Sequence, residues 1–373
     1  MPNASPNVSN VIDADTHVFE PKEMWEHIDQ DWYLRRPIVV EGPKDTVYRR
    51  SNFWIIDGNI FPKPAGKGGF LLGTPTQPDQ ISNMPDVRAR ELLDIPGRLA
   101  AMDQMGTGAQ VIYPTLFLAY VTDDAELEVA LCRAYNRFMS DIFKQGGGRL
   151  RWMVVPPLRS IDASIEAINL GKENGAVGLF FRGIERDRTL DDPYFFPLYQ
   201  EAARLDLPIC VHTGAGCPAF SAVFDVSRSH TFPHTRTLPL MAFRNLVANK
   251  IPEMFPDLRF GFIEAGASWV PYVLHALRSV FGGDADQWGP KLFQDLRLYV
   301  SYEEWEDLPY LLKYVGEENL MVGSDWGHHG GRGRGGDPSG QPEVFANMRS
   351  QEDVPGTAVE KMLVDNPARF YGI

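Results

Sequence analysis

The chain has 373 residues, of which 44% are hydrophobic and 23% charged, a composition typical of a globular protein that buries a large core. Its net charge of -13 at pH 7 gives no bulk attraction to nucleic acid or to an anionic membrane, and no apolar stretch reaches the roughly 18 residues of a membrane span. Three cysteines without a Cys-x-x-Cys pair, and an N-terminus without a basic start or an apolar run, predict a cytoplasmic protein without disulfides.

The first predicted strand, VIDADTH, carries two neighbouring side chains that can bind a metal. Asp15 and His17 are two residues apart, and the period of a strand places both on the same face. Asp13 is expected on that face one layer deeper. Buried carboxylates beside an imidazole are unfavourable unless a cation or dense hydrogen bonding compensates them. This strand therefore indicates a metal site.

Residues 30–88 form a long segment rich in Pro, Gly and aromatic residues. RRPIVVEG and NFWIIDGNIF are strand candidates within it, so we expect a small β element rather than a structureless loop. We interpret the segment as a lid-like insertion after strand 1 that supplies substrate contacts and excludes water. Trp54 is a candidate substrate contact, and core packing under the insertion is its alternative role.

From residue 89 onward, predicted strands and helices alternate. The strands after the first are short, apolar and rich in β-branched residues: AQVIYP, RLRWMVVPP, AVGLFFRG, LPICVHTG, LRFGFIEAG, LRLYVSYEE and LMVGSDWG. Eight strand–helix units predict an α/β protein in which residues 1–373 form a single (β/α)8 barrel domain. An open doubly wound sheet is the alternative, and the lack of a Gly-x-Gly-x-x-Gly motif after strand 1 disfavours it.

Three further ligand candidates stand at predicted strand ends: His212 after strand 5, Glu264 after strand 6 and Asp325 after strand 8. Active sites of such barrels lie at the carboxyl ends of the strands, so these residues and the strand 1 pair predict one metal site at the barrel mouth. The ligand set suits Zn, Mn or Fe(II), which would activate a water or polarise a substrate oxygen. Taken alone, His212 could be a core residue, and Glu264 and Asp325 could be helix caps. Their joint placement at strand ends favours the metal site.

The chain resembles the amidohydrolase superfamily, and within it the amidohydrolase-related (amidohydrolase 2) branch. That branch includes aminocarboxymuconate-semialdehyde-decarboxylase-like proteins and several hydrolases. The resemblance spans the whole chain, and its most specific motifs are IDADTHVFEP, PICVHTG, GSDW and DNPARFYGI. It implies a distorted (β/α)8 TIM barrel, one divalent metal ion and a homodimer or higher homo-oligomer. Zinc is expected first, with manganese or iron as alternatives. The implied metal-binding residues are Asp15, His17, His212 and Asp325, with Glu264 near a further ligand position.

Three positions depart from the family pattern. Asp15 stands where the branch often has glutamate or histidine. Glu264 stands where strand 6 often has histidine, and it could be a ligand, a base or a partner of a ligand. Arg182 replaces the strand 4 lysine of two-metal members, so a single ion is expected. Arg182 is a candidate for binding a substrate carboxylate, with a surface salt bridge as its alternative role.

Further substrate-binding candidates follow strands 5 and 8. His328 comes three residues after Asp325 and is expected to face the site as a substrate-binding or proton-relay group. Trp326 suggests an apolar wall of a roomy pocket. His230 and His234 belong to the loop after strand 5.

The sequence favours a metal-dependent hydrolase that uses a metal-activated water on an ester, thioester, lactone, amide or activated C–C bond of an apolar or aromatic small molecule. Asp325, His328 and Glu264 are its candidate catalytic residues. The alternative is a metal-dependent nonoxidative decarboxylase of an aromatic or unsaturated carboxylic acid. The strand 6 glutamate favours the hydrolase, because the family's decarboxylases usually have histidine there. A noncatalytic metal-stabilised binding protein is disfavoured, since structural metals usually have a closed ligand set.

Overall fold

A computed structural model of the protein describes residues 10–42, 51–78, 86–225, 236–328 and 343–373. Its largest sheet in these ranges has eight strands, each paired in parallel with the next along the chain. Strands 1 to 8 are Ile12–Val18, Ala109–Pro114, Leu150–Val154, Ala176–Arg182, Ile209–His212, Phe260–Ile263, Leu298–Tyr302 and Leu320–Val322.

Hydrogen bonds between strand 1 and the segment after strand 8 close the sheet into a barrel. The N–H of Asp325 donates to the carbonyl oxygen of Asp15 at 3.0 Å. The N–H of His17 donates to the carbonyl oxygen of Trp326 at 2.7 Å. The predicted distorted (β/α)8 barrel is confirmed, and its closure brings the last strand end beside the ligand candidates of the first.

Helices connect the strands and pack around the barrel. The α-helices of the described ranges are Val87–Arg90, Ile95–Met105, Ala125–Gln145, Ile161–Glu173, Phe196–Arg204, Pro218–Ser221, Thr237–Ala248, Ile251–Met254, Val270–Phe281, Pro290–Leu296, Leu308–Val315, Val344–Arg349, Gly356–Glu360 and Asn366–Tyr371. The 3₁₀ helices are Lys22–His27, Gln30–Arg35, Leu116–Leu118, Pro193–Phe195 and Ala285–Trp288, and Lys361–Asp365 is a π-helix. No helix in the described parts of the chain is both long enough and apolar enough to cross a membrane.

Two helices precede strand 2. The sequence ARELLDIPGRLAAMDQMG has helical spacing, and the structure places Val87–Arg90 at its start and Ile95–Met105 within it, with a break between them. Pro96 lacks an N–H and cannot continue a preceding helix, so it stands in the first turn of the second one. The carboxylate of Asp94 caps that helix by accepting from the N–H of Gly97 at 3.0 Å.

The insertion after strand 1 contains the small β element that its sequence predicts. Ile38–Glu41, Asn52–Ile56 and Asn59–Phe61 form a three-stranded antiparallel sheet. A later part of the insertion meets the loop after strand 5, where the N–H of Gly68 donates to the carbonyl oxygen of Phe224 at 2.9 Å. This contact joins the insertion to the carboxyl-end side of the barrel. The role of the insertion as a lid stays a prediction.

Side chains of the barrel strands alternate between two apolar clusters, as the period of a strand requires. In strand 4, Leu179 and Phe181 belong to the cluster that includes the surrounding helices, such as Phe243 of Thr237–Ala248. Phe180, between them, belongs to the second cluster, and its ring lies 5.9 Å from the ring of His212. The alternation therefore directs one aromatic side chain of this strand towards the candidate site.

Candidate metal centre

The structure brings the ligand candidates of strands 1, 5 and 6 into one cluster. Nε2 of His17 lies 3.5 Å from Oδ1 of Asp15 and 3.3 Å from Oε2 of Glu264. Nε2 of His212 lies 3.4 Å from the same aspartate oxygen and 3.3 Å from the same glutamate oxygen. Asp325 joins from strand 8, with Oδ1 3.4 Å from Nε2 of His17. Both histidines are fully buried.

Backbone carbonyl groups fix the orientation of both histidine rings. Nδ1 of His17 lies 3.1 Å from the carbonyl oxygen of Pro114, and Nδ1 of His212 lies 2.8 Å from the carbonyl oxygen of Thr213. Because a carbonyl oxygen only accepts, each Nδ1 carries a proton and donates it. The Nε2 lone pairs therefore face the cluster, which is the tautomer that a metal ligand requires.

The cluster fits a bound cation in its spacing and its polar atoms. Tetrahedral bonds of about 2.0–2.1 Å to zinc place neighbouring nitrogen and oxygen ligands about 3.4 Å apart. The four distances from the two Nε2 atoms to Asp15 and Glu264 are 3.3 to 3.5 Å. Nε2 of His17 and Oε2 of Glu264 are buried and make no hydrogen bond in the described structure. A divalent ion would satisfy both atoms.

Two overlapping sets of residues offer ligand atoms that all lie within 4.8 Å of one another: Asp15, His17, His212 and Glu264, and His17, Glu264, Asp325 and His328. The first set fits a single ion with its four side chains. The second contains the two residues that follow strand 8, Asp325 and His328, and shares His17 and Glu264 with the first.

Burial lowers the pKa values of the two ligand histidines, which suits metal binding, and raises that of Glu264. Desolvation lowers the pKa of His17 well below its ordinary value, and the neighbouring His328 and His212 lower it further. Desolvation also lowers the pKa of His212. These histidines are therefore neutral ligands at neutral pH. Desolvation, aided by the Asp325 charge, raises the pKa of Glu264 well above its ordinary value, so its ionised form needs a nearby cation.

Backbone conformation at two strand ends is unusual for residues with a Cβ. Glu264 has a φ of 53° and Asp325 a φ of 50°, both in the left-handed region. This region is uncommon for non-glycine residues and recurs at functional sites, where the surrounding structure maintains it. At both positions the carboxylate lies within 3.4 Å of Nε2 of His17.

His328 lies against the cluster, where the sequence placed it. Its ring stacks on that of His17 with centroids 3.7 Å apart and an interplanar angle of 21°. Its Nδ1 is 2.9 Å from Oδ1 of Asp325. Its Nε2 is 3.0 Å from Oγ1 of Thr115, a residue that the sequence analysis missed. Thr115 directly follows strand 2, so a search of every strand end for polar residues would have found it.

Arg182 is occupied by protein acceptors. Its Nε and Nη2 donate to Oε2 of Glu185 at 3.0 and 2.5 Å, and its Nη1 donates to the carbonyl oxygens of Phe117 and Ala119 at 3.3 and 3.1 Å. Every guanidinium nitrogen thus has an acceptor, an arrangement that favours a structural ion pair. Binding of a substrate carboxylate by Arg182 stays a prediction.

The two candidate tryptophans are packed inside the protein. Trp54 is fully buried, and its Nε1 donates to Oγ1 of Thr74 at 3.2 Å, which favours core packing under the insertion. The guanidinium groups of Arg98 and Arg90 lie 3.9 and 4.8 Å from the ring centroid of Trp326. These cation–π contacts hold the segment between Asp325 and His328 in place. His230 and His234 lie outside the described residues.

Comparison with known proteins identifies relatives over most of the chain. The 2-amino-3-carboxymuconate-6-semialdehyde decarboxylase of Dictyostelium discoideum is 20% identical over 300 residues, which are 78% of this chain and 77% of the relative. The crystal structure of an amidohydrolase from Mycobacterium avium subsp. paratuberculosis has a TM-score of 0.72 and 18% identity, covering 99% of both chains.

A further similar structure is that of 5-carboxyvanillate decarboxylase from Novosphingobium aromaticivorans complexed with manganese and 4-hydroxy-3-methoxy-5-nitrobenzoic acid. It has a TM-score of 0.60 and 17% identity, covering 79% of this chain and 86% of that chain. At these identities the structural matches support the fold alone. The profile of the Amidohydrolase family matches residues 12–373. The chain therefore belongs to the Amidohydrolase family and is an enzyme of the amidohydrolase superfamily.

Proposed function

We propose that this protein is a metal-dependent nonoxidative decarboxylase of an aromatic or unsaturated carboxylic acid. This is the second of the two enzymatic functions considered from the sequence. The comparisons favour it over the hydrolase, because the curated relative and a structural neighbour are both named as decarboxylases. The observation that carries the proposal is the double contact of Asp325, which lies 3.4 Å from the ligand nitrogen of His17 and 2.9 Å from Nδ1 of His328.

Decarboxylation requires a proton at the carbon that loses its carboxyl group. The C–CO₂ bond breaks, its electron pair remains on that carbon, and a proton from the site forms the new C–H bond. One carboxylic acid thus yields one CO₂ and one protonated product. The contact between Asp325 and His328 can hold this proton beside the ligand cluster, which is where a metal-bound substrate would lie.

A divalent ion bound by Asp15, His17, His212 and Glu264 would supply Lewis-acid polarisation of the substrate oxygen atoms. The ligand set favours zinc, and the named decarboxylase complex adds manganese as a candidate. The rings of Tyr113 and Phe180 lie 4.8 and 5.9 Å from that of His212. They give the site an apolar floor, which suits a flat aromatic or unsaturated acid and strengthens electrostatic interactions by excluding water.

A hydrolase is the second candidate because of Glu264. This residue places a second carboxylate within 3.3 Å of both ligand histidines, and its raised pKa is typical of a proton-accepting group. In that case Glu264 or Asp325 would take a proton from an attacking water, and the product would be an acid with an alcohol, thiol or amine rather than CO₂.

Product analysis in heavy water separates the two functions. The purified protein, loaded with zinc or with manganese, would be incubated with 5-carboxyvanillate, with 2-amino-3-carboxymuconate 6-semialdehyde and with a panel of aryl esters and thioesters. We expect CO₂ release and one deuterium at the carbon that carried the carboxyl group. Ester or thioester cleavage without CO₂ release from any acid would contradict the decarboxylase and support the hydrolase.

A further inference from the structure

Strand 1 contains an irregularity just before the first metal ligand. Its register with strand 2 pairs Asp13 with Gln110 but Thr16 with Ile112, so strand 1 has one extra residue between these pairs. Such a β-bulge leaves local backbone groups out of the regular ladder and re-aims the side chains that follow. Here the affected peptide joins Ala14 to Asp15, the residue whose carboxylate faces His17 and His212.

A tyrosine from the end of the chain contacts this peptide. Tyr371 is buried, and its hydroxyl donates to the carbonyl oxygen of Ala14 at 2.6 Å. The hydroxyl of Tyr113 lies 2.8 Å from that of Tyr371. Because Tyr371 has a single hydroxyl proton and gives it to Ala14, Tyr113 must donate to Tyr371. The Tyr113 ring also lies 4.8 Å from that of His212, so this chain of hydroxyl groups runs beneath the ligand cluster.

The backbone on either side of this peptide is held as well. The carbonyl oxygen of Asp15, which belongs to the next peptide, accepts from the N–H of Asp325 at 3.0 Å. The carboxylate of Asp13 is fixed by the N–H and hydroxyl of Ser324, at 2.8 and 2.6 Å. Tyr371 therefore fixes the carbonyl oxygen of the Ala14–Asp15 peptide. The orientation of this peptide sets the direction in which the Asp15 side chain leaves the backbone.

We propose that Tyr371 is a positioning residue for the metal ligand Asp15. Its hydroxyl sets the orientation of the bulged Ala14–Asp15 peptide and thereby aims the aspartate carboxylate at the metal position. This assigns a role to the C-terminal motif DNPARFYGI, which the proposed reaction leaves unexplained. The inference rests on the proposed metal centre but not on the identity of the reaction.

The test compares two tyrosine variants that lose the same kind of bond. Tyr371→Phe removes the hydrogen bonds of this hydroxyl to Ala14 and Tyr113 and keeps the ring. Tyr199→Phe is the matched control, since the buried Tyr199 hydroxyl also donates to a backbone carbonyl, that of Leu190, at 2.6 Å, from a helix outside the barrel. The dissociation constants of Zn²⁺ and Mn²⁺ would be measured by chelator competition on the full-length protein, at a temperature where both variants are folded.

We expect Tyr371→Phe to weaken metal binding by about 10–100-fold, the usual effect of losing a residue that orients a metal ligand. Tyr199→Phe should bind metal like the wild type, with a comparable decrease in the melting temperature of the metal-free protein. Wild-type metal affinity in Tyr371→Phe, or equal weakening in both variants, would overturn the proposal. If Tyr371→Phe alone loses affinity and no acid is decarboxylated, the positioning role stands and the proposed reaction fails.

Discussion

Asp325 is the residue on which the proposed chemistry depends most, because it contacts the ligand cluster and His328 at the same time. We expect Asp325→Asn to slow decarboxylation by about 10²–10⁴-fold, since an amide neither accepts nor delivers the proton that the substrate carbon needs. Initial rates of CO₂ release from metal-loaded protein would measure this loss.

The control for that substitution is Asp307→Asn. Asp307 caps the helix Leu308–Val315 by accepting from the N–H of Tyr310 at 3.0 Å, and asparagine is an equally good cap. This variant should keep the wild-type rate. Full activity in Asp325→Asn would remove the residue from the proton-transfer step.

The protonation of Glu20 should make the stability of the folded protein depend on pH, independently of the metal ligands. Desolvation raises its pKa from 4.5 to about 8, although backbone N–H groups, among them those of Thr115 and Leu116, oppose the shift. The folded protein thus keeps this proton to a higher pH than the unfolded chain. The resulting stabilisation is complete below pH 4.5 and is lost as the pH rises through about 8.

Glutamine at position 20 does not titrate, so the comparison with Glu20→Gln isolates this effect. We expect the melting temperature of the wild type, relative to that of Glu20→Gln, to fall steadily as the pH is raised from about 5 to about 8. Thermal unfolding in a series of buffers measures the difference. A constant difference across this range would contradict the raised pKa of Glu20.

At the level of elements, the closure of the barrel depends on a close approach between strand 1 and the end of strand 8. A Cβ at Gly323 would lie 2.2 Å from Cβ of Asp15 and 2.9 Å from its backbone nitrogen. We expect Gly323→Ala to lower the free energy of unfolding by about 1–3 kcal/mol, as overpacking of a buried contact does, and to weaken metal binding.

Chemical unfolding, followed by circular dichroism, would measure the effect of Gly323→Ala. Gly356→Ala is the control, because Gly356 begins the helix Gly356–Glu360 and no heavy atom lies within 4 Å of the added Cβ. That variant should be as stable as the wild type. Equal free energies of unfolding for both variants would show that strand 1 and the end of strand 8 accommodate the added methyl group without loss of stability.

The sequence predicts the elements and the ligand positions better than the contacts between them. Period-two strands and the rule that barrel sites lie at carboxyl strand ends were enough to group Asp15, His17 and His212. The bulge before Asp15 and the left-handed conformation of Glu264 were not predictable, since no local residue pattern specifies them.

The contacts of the remaining candidates depend on residues far away in the chain. Thr115 reaches His328 across 213 positions, and Tyr371 reaches Ala14 across 357. Arg182 was predicted to be available to a substrate because two of its acceptors, the carbonyl oxygens of Phe117 and Ala119, are 65 and 63 positions away and could not be placed around it from the sequence. Such pairings follow from the closed barrel rather than from neighbouring residues.

For the whole molecule, metal binding should contribute directly to stability. The ligands come from strands at opposite ends of the sequence, so an ion would bind the folded protein and not the unfolded chain. At a free ion concentration 100 times the dissociation constant, the gain is about 2.7 kcal/mol. We therefore expect a chelator to lower the melting temperature and added Zn²⁺ or Mn²⁺ to restore it. Identical melting curves with and without chelator would contradict a bound ion.

The oligomeric state of the protein is a separate prediction. The family resemblance implies a homodimer or a higher homo-oligomer, and light scattering coupled to size-exclusion chromatography would measure it. A monomer at micromolar concentration would contradict that prediction without affecting the metal centre, whose ligands all come from one chain.

The most direct test of the account is the metal content of purified protein, determined by inductively coupled plasma mass spectrometry for the wild type, His212→Ala and His275→Ala. His275 is an exposed histidine on the helix Val270–Phe281 and serves as the control. We expect about one zinc or manganese ion per chain in the wild type and the control, and its loss in His212→Ala. A wild-type protein without stoichiometric metal, even after reconstitution, would contradict the metal centre and the decarboxylase proposed from it.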